Sequence, residues 1–331
     1  MIELKKDSLR FWFPEVHADA RLSIEFQRTL RIPDDGKDYP LPPGLGRFPL
    51  RHVDDYARRV PGTWLERGGV MLPMYQSEAL WLNFNSDYPF AIKIAAGKID
   101  AVSGGEWTNE FGRDPQNYVV APRQPWLDGY CVEKGVIRQF VAMPLGAGYT
   151  AEEQLTGHAE HGGIQILAAP MKKEAWERYS VRFRRVTPEF AGVMDECRRS
   201  FDIGLAPGGR MRQEIYDDPY RLEDWDFKHT SRCWVHLANS IAWRAITGDA
   251  APTMPPTAAE YSTAGLPWFD YYSEGSKAVK GSATLAGLKS VLQFGKEKGE
   301  TPLPENESVT PERVVELRSG LKQDQVREGH F

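Results

Sequence analysis

The alternation of apolar and polar side chains predicts a chain rich in β-strands. In the run that begins at Leu22, apolar Leu22, Ile24 and Phe26 alternate with polar residues, which is the period of a strand with one buried face. Ala96 and Gly97 separate two further strand-like runs and are typical of a two-residue hairpin. The same pattern predicts strands at residues 9–13, 70–75, 80–84, 91–95, 98–102, 117–121, 136–143 and 164–168.

Helices are predicted where capping residues precede apolar residues at helical spacing. Thr150 with Glu153, and Thr257 with Glu260, form capping boxes, in which the hydroxyl accepts from a backbone N–H and the glutamate reaches back to the cap residue. The clearest helical periodicity lies at residues 188–200. Helices therefore accompany the strands in the second half of the chain.

Together these elements predict an α+β fold, with an antiparallel β-rich body and a helix-containing C-terminal region. We expect a β-rich region at residues 1–186 and a mixed α/β region at residues 187–298 packed against it, because no flexible spacer separates them. Residues 299–331 are expected to form a solvated linker and a short C-terminal helix. That helix is predicted to begin after Thr310, with an apolar face of Val314, Leu317 and Leu321.

Composition excludes several classes of protein. The 331 residues include 41 Lys and Arg against 46 Asp and Glu, a formal net charge of −5, which argues against a nucleic-acid-binding protein. No apolar run approaches the ~18 residues of a membrane-spanning helix, so no membrane association is expected. Three widely spaced cysteines and an N-terminus without a secretory signal favour a reducing compartment, and we expect a cytoplasmic protein.

None of the common catalytic motifs occurs in the chain. There is no phosphate-binding loop, dinucleotide-binding glycine motif, zinc-protease motif, paired-cysteine redox motif or hydrolase nucleophile elbow. Any catalytic or binding chemistry must therefore come from looser clusters of residues.

His158 and His161 are the candidate metal ligands. Two imidazoles three residues apart in a turn can converge on a divalent metal ion, with Glu160 or a distant carboxylate completing the set. Such a metal could generate hydroxide near neutral pH, with Glu160 as a candidate catalytic base. The alternative is that both histidines hydrogen-bond the loop between a helix and a strand.

Cys131 is a second catalytic candidate. A cysteine nucleophile needs a lowered thiol pKa, which the nearby Lys134 could provide. The alternation of side chains around Cys131 also fits an ordinary strand residue that packs in the core.

Acidic and aromatic residues cluster between residues 212 and 226. The six carboxylates there could hold a hard cation or supply an acid and a base, with Asp217 as the catalytic candidate. Aromatic faces beside carboxylates also suit planar or sugar-like ligands. The alternative is a salt-bridged surface with core aromatics. The candidate ligand-binding residues are Tyr216, Asp218, Trp225, Trp268 and Asp270.

Three segments resemble a group of conserved, mostly bacterial proteins of uncharacterised activity. They are LPPGLGRFPL at residues 41–50, QPWLDGYC at residues 124–131 and GLPWFDYY at residues 265–272. The resemblance extends over most of the chain, but it implies no activity and no catalytic residue.

Three functions remain open. The first is a cytoplasmic protein that binds a small polar or sugar-like ligand in an aromatic and acidic cleft. The second is a metal-dependent, hydrolase-like enzyme that uses His158 and His161, with Glu160 or Asp217 as base. The third is a structural or assembly protein that docks through its C-terminal helix, and a homo-oligomer is compatible with all three.

Overall fold

The computed structural model describes residues 1–180, 203–271 and 277–317. Its helices are short: α1 (Gly62–Arg67), α2 (Ala151–Thr156), α3 (Lys173–Tyr179), α4 (Ser240–Thr247), α5 (Ala258–Thr263), α6 (Ala283–Ala286) and α7 (Val291–Glu297). Its strands are β1 (Ile2–Leu4), β2 (Leu9–Trp12), β3 (Arg21–Thr29), β4 (Asp38–Tyr39), β5 (Gly44–Arg47), β6 (Arg51–His52), β7 (Val70–Met74), β8 (Ala79–Ser86), β9 (Phe90–Ala96), β10 (Ile99–Asp100), β11 (Val119–Ala121), β12 (Trp126–Leu127), β13 (Gly129–Glu133), β14 (Val136–Pro144), β15 (Ile164–Pro170), β16 (Ile203–Arg212), β17 (Ser231–Asn239), β18 (Trp268–Tyr271) and β19 (Val314–Leu317).

The strands form two large sheets and one small one. The first sheet has ten strands in the order β1-β2-β3-β8-β14-β16-β4, with β5, β12 and β13 pairing on β3, β8 and β14. The second has seven strands in the order β10-β9-β15-β17-β7-β6, with β11 on β9, and β18 pairs with β19 alone. Most pairs are antiparallel, as predicted, whereas β4 with β16, β7 with β17 and β18 with β19 are parallel.

Buried side chains of both large sheets meet in one hydrophobic cluster. Ile24 and Phe26 of β3 belong to it together with Ile92 of β9 and Ile166 of β15. The alternation predicted from Leu22 onward is therefore the pattern of a strand that turns one face to this shared core. The β-rich α+β character expected from the sequence is confirmed.

The region after residue 203 contains both strands and helices. β16 and β17 complete the two large sheets, while α4 to α7 follow as helices of at most eight residues. Both predicted capping boxes are present, because Thr150 accepts from the backbone N–H of Glu153 and Thr257 from that of Glu260. The predicted helix at residues 188–200 lies outside the described residues. None of the described helices is long and apolar enough to cross a membrane.

The predicted C-terminal helix is wrong where the structure describes it. Val314 to Leu317 form β19, which runs parallel to β18 with Val314 opposite Trp268. A three-residue apolar spacing in so short a run does not separate a helix from a strand, and the neighbouring β18 supplies the hydrogen bonds that favour a strand. Leu321 lies outside the described residues.

Most of residues 299–308 are exposed, but the segment is tied to the body of the protein. Asn306 accepts a hydrogen bond from Arg31 at 2.9 Å, Glu300 accepts one from Tyr149, and Ser308 donates one to Asp35. These side-chain contacts hold a solvent-exposed segment against the rest of the chain.

Candidate functional site

An open cleft of about 570 Å³ lies beside Phe227, and we call it the Phe227 cleft. Its walls combine charged side chains of both signs with an aromatic ring. The lining residues are Glu15, Val16, Lys172, Lys173, Glu174, Trp225, Asp226, Phe227, Lys228 and His229.

Three separate parts of the chain meet at the Phe227 cleft. The backbone N–H of Asp226 donates to Pro170 at 2.9 Å, and that of Lys172 donates to Asp224 at 2.8 Å. These bonds hold the loop after Asp224 beside the end of β15 and the start of α3. The turn after β2 contributes Glu15 and Val16.

Asp226 and His229 form a hydrogen-bonded pair on the wall of the cleft. Oδ2 of Asp226 lies 2.9 Å from Nδ1 of His229, and Oδ1 accepts the backbone N–H groups of Lys228 and His229 at 3.0 and 3.2 Å. Burial alone would raise the pKa of Asp226, but these hydrogen bonds outweigh it and hold the pKa below its ordinary value. Because an ionised carboxylate only accepts, Nδ1 of His229 carries the proton of this hydrogen bond.

Phe227 provides the aromatic surface of the cleft. It is 40% exposed, and its ring stacks on Phe111 with centroids 4.9 Å apart. Trp225 lies deeper, because its Nε1 donates to Asp218 at 2.8 Å and its side chain is buried. Asp218 also accepts from the hydroxyl of Tyr118 at 2.5 Å, so this buried carboxylate anchors the floor behind Phe227.

The charged side chains differ in how firmly they are engaged. Nζ of Lys172 donates to the carbonyl of Glu223 at 2.7 Å and closes the loop. Lys228 and Glu174, by contrast, make no side-chain ion pair or hydrogen bond with any residue that the structure describes. The cleft therefore offers a ligand an unpaired cation, Lys228, and an unpaired anion, Glu174, among its described residues.

The predicted metal ligands are not brought together on a metal site. Nδ1 of His161 lies 2.6 Å from the buried carboxylate of Glu152, which also accepts the backbone N–H groups of His161 and Gly162. His158 and Glu160 are exposed. In the described ranges no group of three or more His, Cys, Asp or Glu side chains is placed to hold a metal ion. The His161 ring serves the turn between α2 and β15, which favours the structural alternative.

Cys131 has the environment of a packing residue. It lies in β13, is 1% exposed and belongs to the main hydrophobic cluster. Burial raises the pKa of its thiol to about 12, whereas a nucleophilic cysteine needs a lowered pKa. The geometry therefore supports the alternative interpretation over the catalytic one.

The predicted ligand-binding residues are divided among three places. Trp225 touches the Phe227 cleft and Asp218 is buried behind it. Tyr216 lines a separate narrow crevice together with Arg212, whose guanidinium pairs with Asp270 at 2.9 Å. Trp268 is fully buried against Tyr39 and Tyr261. Asp217, the candidate base, lines neither the cleft nor the crevice.

Sequence reasoning missed the residues that give the cleft its chemistry. His229 follows Asp226 at a spacing of three residues, directly after the acidic stretch. That short spacing could have indicated a hydrogen-bonded pair of aspartate and histidine. Lys172 to Glu174 lie about fifty residues earlier and carry no local pattern that points to the cleft. Only the pairing of residues 170–172 with 224–226 brings them together.

Comparison of the chain with protein-family models, curated proteins and solved structures found no match. The resemblance to uncharacterised bacterial proteins stays a prediction, and the function has to be argued from the geometry of the chain itself.

Proposed function

We propose that the protein binds a small polar ligand, bearing hydroxyl or amino groups, in the Phe227 cleft. The observation that carries this proposal is the cleft itself, in which an exposed aromatic ring lies beside the ordered pair of Asp226 and His229. A volume of about 570 Å³ lies within the range of small-molecule sites.

The chemistry of the walls supports such a ligand. The carboxylate of Asp226 accepts hydrogen bonds from hydroxyl or amino groups, while Lys228 donates. The face of Phe227 suits the C–H face of a sugar ring or a short aliphatic chain. Because Asp226 is held by three hydrogen bonds before any ligand arrives, little entropy is lost when it binds.

A reducing compartment such as the cytoplasm belongs to this proposal. Cys131 and Cys233 are free thiols, which is the ordinary state of cysteine in reducing compartments. No observation on the described residues favours the metal-dependent enzyme or the assembly protein over ligand binding.

Saturation-transfer NMR with a panel of monosaccharides, amino sugars, polyols and small amines tests the proposal. We expect at least one compound to bind, and Asp226→Asn to weaken it about tenfold through loss of a charged hydrogen bond. Phe227→Ala should weaken it about fivefold. Asp217→Asn, a carboxylate of the same acidic stretch outside the cleft, is the matched control and should bind like the wild type. Binding that survives both cleft substitutions, or no binding by any compound, would refute the assignment.

A further inference from the structure

The outer face of the first sheet carries two partly exposed tryptophans side by side. Trp81 in β8 and Trp126 in β12 alternate with buried Leu80, Leu82 and Leu127, so both indoles lie on the opposite face of the sheet from these leucines. Both are partly buried, and Trp126 also packs against the main hydrophobic cluster. Their ring centroids are 6.4 Å apart at 71°. Tyr271 continues the row, with its ring 4.8 Å from that of Trp126.

A polar network lies beside the tryptophans on the same face. The carboxylate of Glu25 accepts hydrogen bonds from Gln27 at 3.2 Å, Asn83 at 3.4 Å and Arg47 at 2.7 Å. Strand register places Glu25 opposite Asn83 and Gln27 opposite Trp81, which makes these side chains direct neighbours.

This network is neutral and preorganised. Arg47 balances the charge of Glu25, and the shared carboxylate holds both amides in place. The side-chain carbonyl oxygens of Gln27 and Asn83 accept no hydrogen bond from the part of the chain that the structure describes. Asn83, which is partly exposed, thus keeps an acceptor for an incoming hydroxyl, whereas Gln27 is 7% exposed and helps to hold the carboxylate of Glu25.

The combination matches the chemistry of a neutral sugar. A pyranose ring offers an apolar C–H face that packs on an indole, and a rim of hydroxyl groups that pair with amides and carboxylates. A phosphate or another strong anion would find little electrostatic attraction here, because Glu25 neutralises the guanidinium of Arg47. These side chains lie on three adjacent strands, β3, β8 and β12, so the surface is wider than one sugar ring and suits several consecutive sugar units.

We propose that this face, formed by Trp81, Trp126, Glu25, Gln27 and Asn83, is a binding platform for a chain of neutral sugars. It is independent of the Phe227 cleft and shares no residue with it. Beyond Trp126 the face continues into the narrow crevice lined by Gln124, Arg212, Tyr216 and Tyr271.

Native affinity electrophoresis tests the platform, in gels that contain hydroxyethyl cellulose, xylan, dextran or soluble starch. We expect at least one of these polymers to retard the protein, and Trp81→Ala to weaken the apparent affinity about tenfold. Asn83→Ala should weaken it as well, by removing an amide without touching either indole. Both side chains are partly exposed, and far-UV circular dichroism checks that each variant is folded.

Trp12→Ala is the matched control. Trp12 is also a partly exposed tryptophan on the sheet, in β2, but it lies under the guanidinium of Arg21, with that carbon 5.1 Å from its ring. We expect this variant to be retarded like the wild type. Retardation by none of the four polymers overturns the proposal. Retardation that Trp81→Ala and Asn83→Ala leave unchanged, or that Trp12→Ala reduces equally, overturns it too.

Discussion

The buried carboxyl group of Asp128 should make the stability of this protein fall between mildly acidic and neutral pH. Asp128 is 3% exposed, and its Oδ2 accepts from the amide of Gln213 at 2.6 Å. Burial raises its pKa to about 7, because desolvation outweighs the hydrogen bonds from Gln213 and Trp126. No described cation forms an ion pair with it.

The sign and size of the effect follow from proton linkage. In the unfolded chain the carboxyl titrates near 3.8, so between that value and about 7 the folded protein holds a proton that the unfolded chain has released. The free energy of unfolding therefore falls as pH rises through this window, by about 1.4 kcal/mol for each pH unit. From pH 5 to pH 8 the loss due to Asp128 is about 3 kcal/mol.

Urea unfolding followed by tryptophan fluorescence at pH 5, 6, 7 and 8 measures this loss. Between pH 6 and 7, the free energy of unfolding of Asp128→Asn should depend much less on pH than that of the wild type. This holds whether the variant is more or less stable than the wild type at any one pH. Asp100→Asn is the matched control. Burial raises the pKa of Asp100 to about 6, so its contribution to the pH dependence of stability ends near that pH, and the variant should keep most of the wild-type slope between pH 6 and 7. If Asp128→Asn keeps the wild-type slope, or the carboxyl carbon of Asp128 titrates near pH 4 by NMR, the reasoning is refuted.

Three further substitutions test the packing of the sheets. Arg28 and Glu78 form a buried ion pair at 2.7 Å, so Arg28→Ala should lower the free energy of unfolding by about 3 to 5 kcal/mol in urea titrations, because it leaves a buried charge unpaired. Replacing both partners with Met and Gln should recover part of that loss. A side chain at Gly129 would lie 1.9 Å from a carbonyl oxygen of β14, so Gly129→Ala should yield little folded protein, whereas Gly112→Ala, with 3.5 Å to its nearest atom, should fold normally. Thr150→Ala removes the capping box, so it should lower the free energy of unfolding by about 1 kcal/mol and lower the thermal midpoint. Thr150→Ser keeps the capping hydroxyl and should restore the midpoint.

Local features were predictable because they depend on neighbours in the chain. The alternation that begins at Leu22 specifies a strand with one buried face, and the structure has β3 there. The threonine and glutamate of each capping box are three residues apart, so they bond within one helical turn wherever that turn lies. The helix predicted at Val314 was wrong because the strand there is stabilised by β18, more than forty residues earlier in the chain. Local sequence patterns do not contain such distant pairings.

By itself, the sequence determined the strand periods, the helix caps and an aromatic content of 11%. It did not determine which aromatic rings are accessible. Trp268 is fully buried, Trp225 forms the floor of a cleft, and Trp81 is partly exposed on the face of a sheet, although all three occur in similar strand-like or acidic surroundings. Burial is set by the strands and loops that pack against a residue, and those come from distant parts of the chain. Only the tertiary structure could therefore place Glu15, Lys173 and His229 around one cleft.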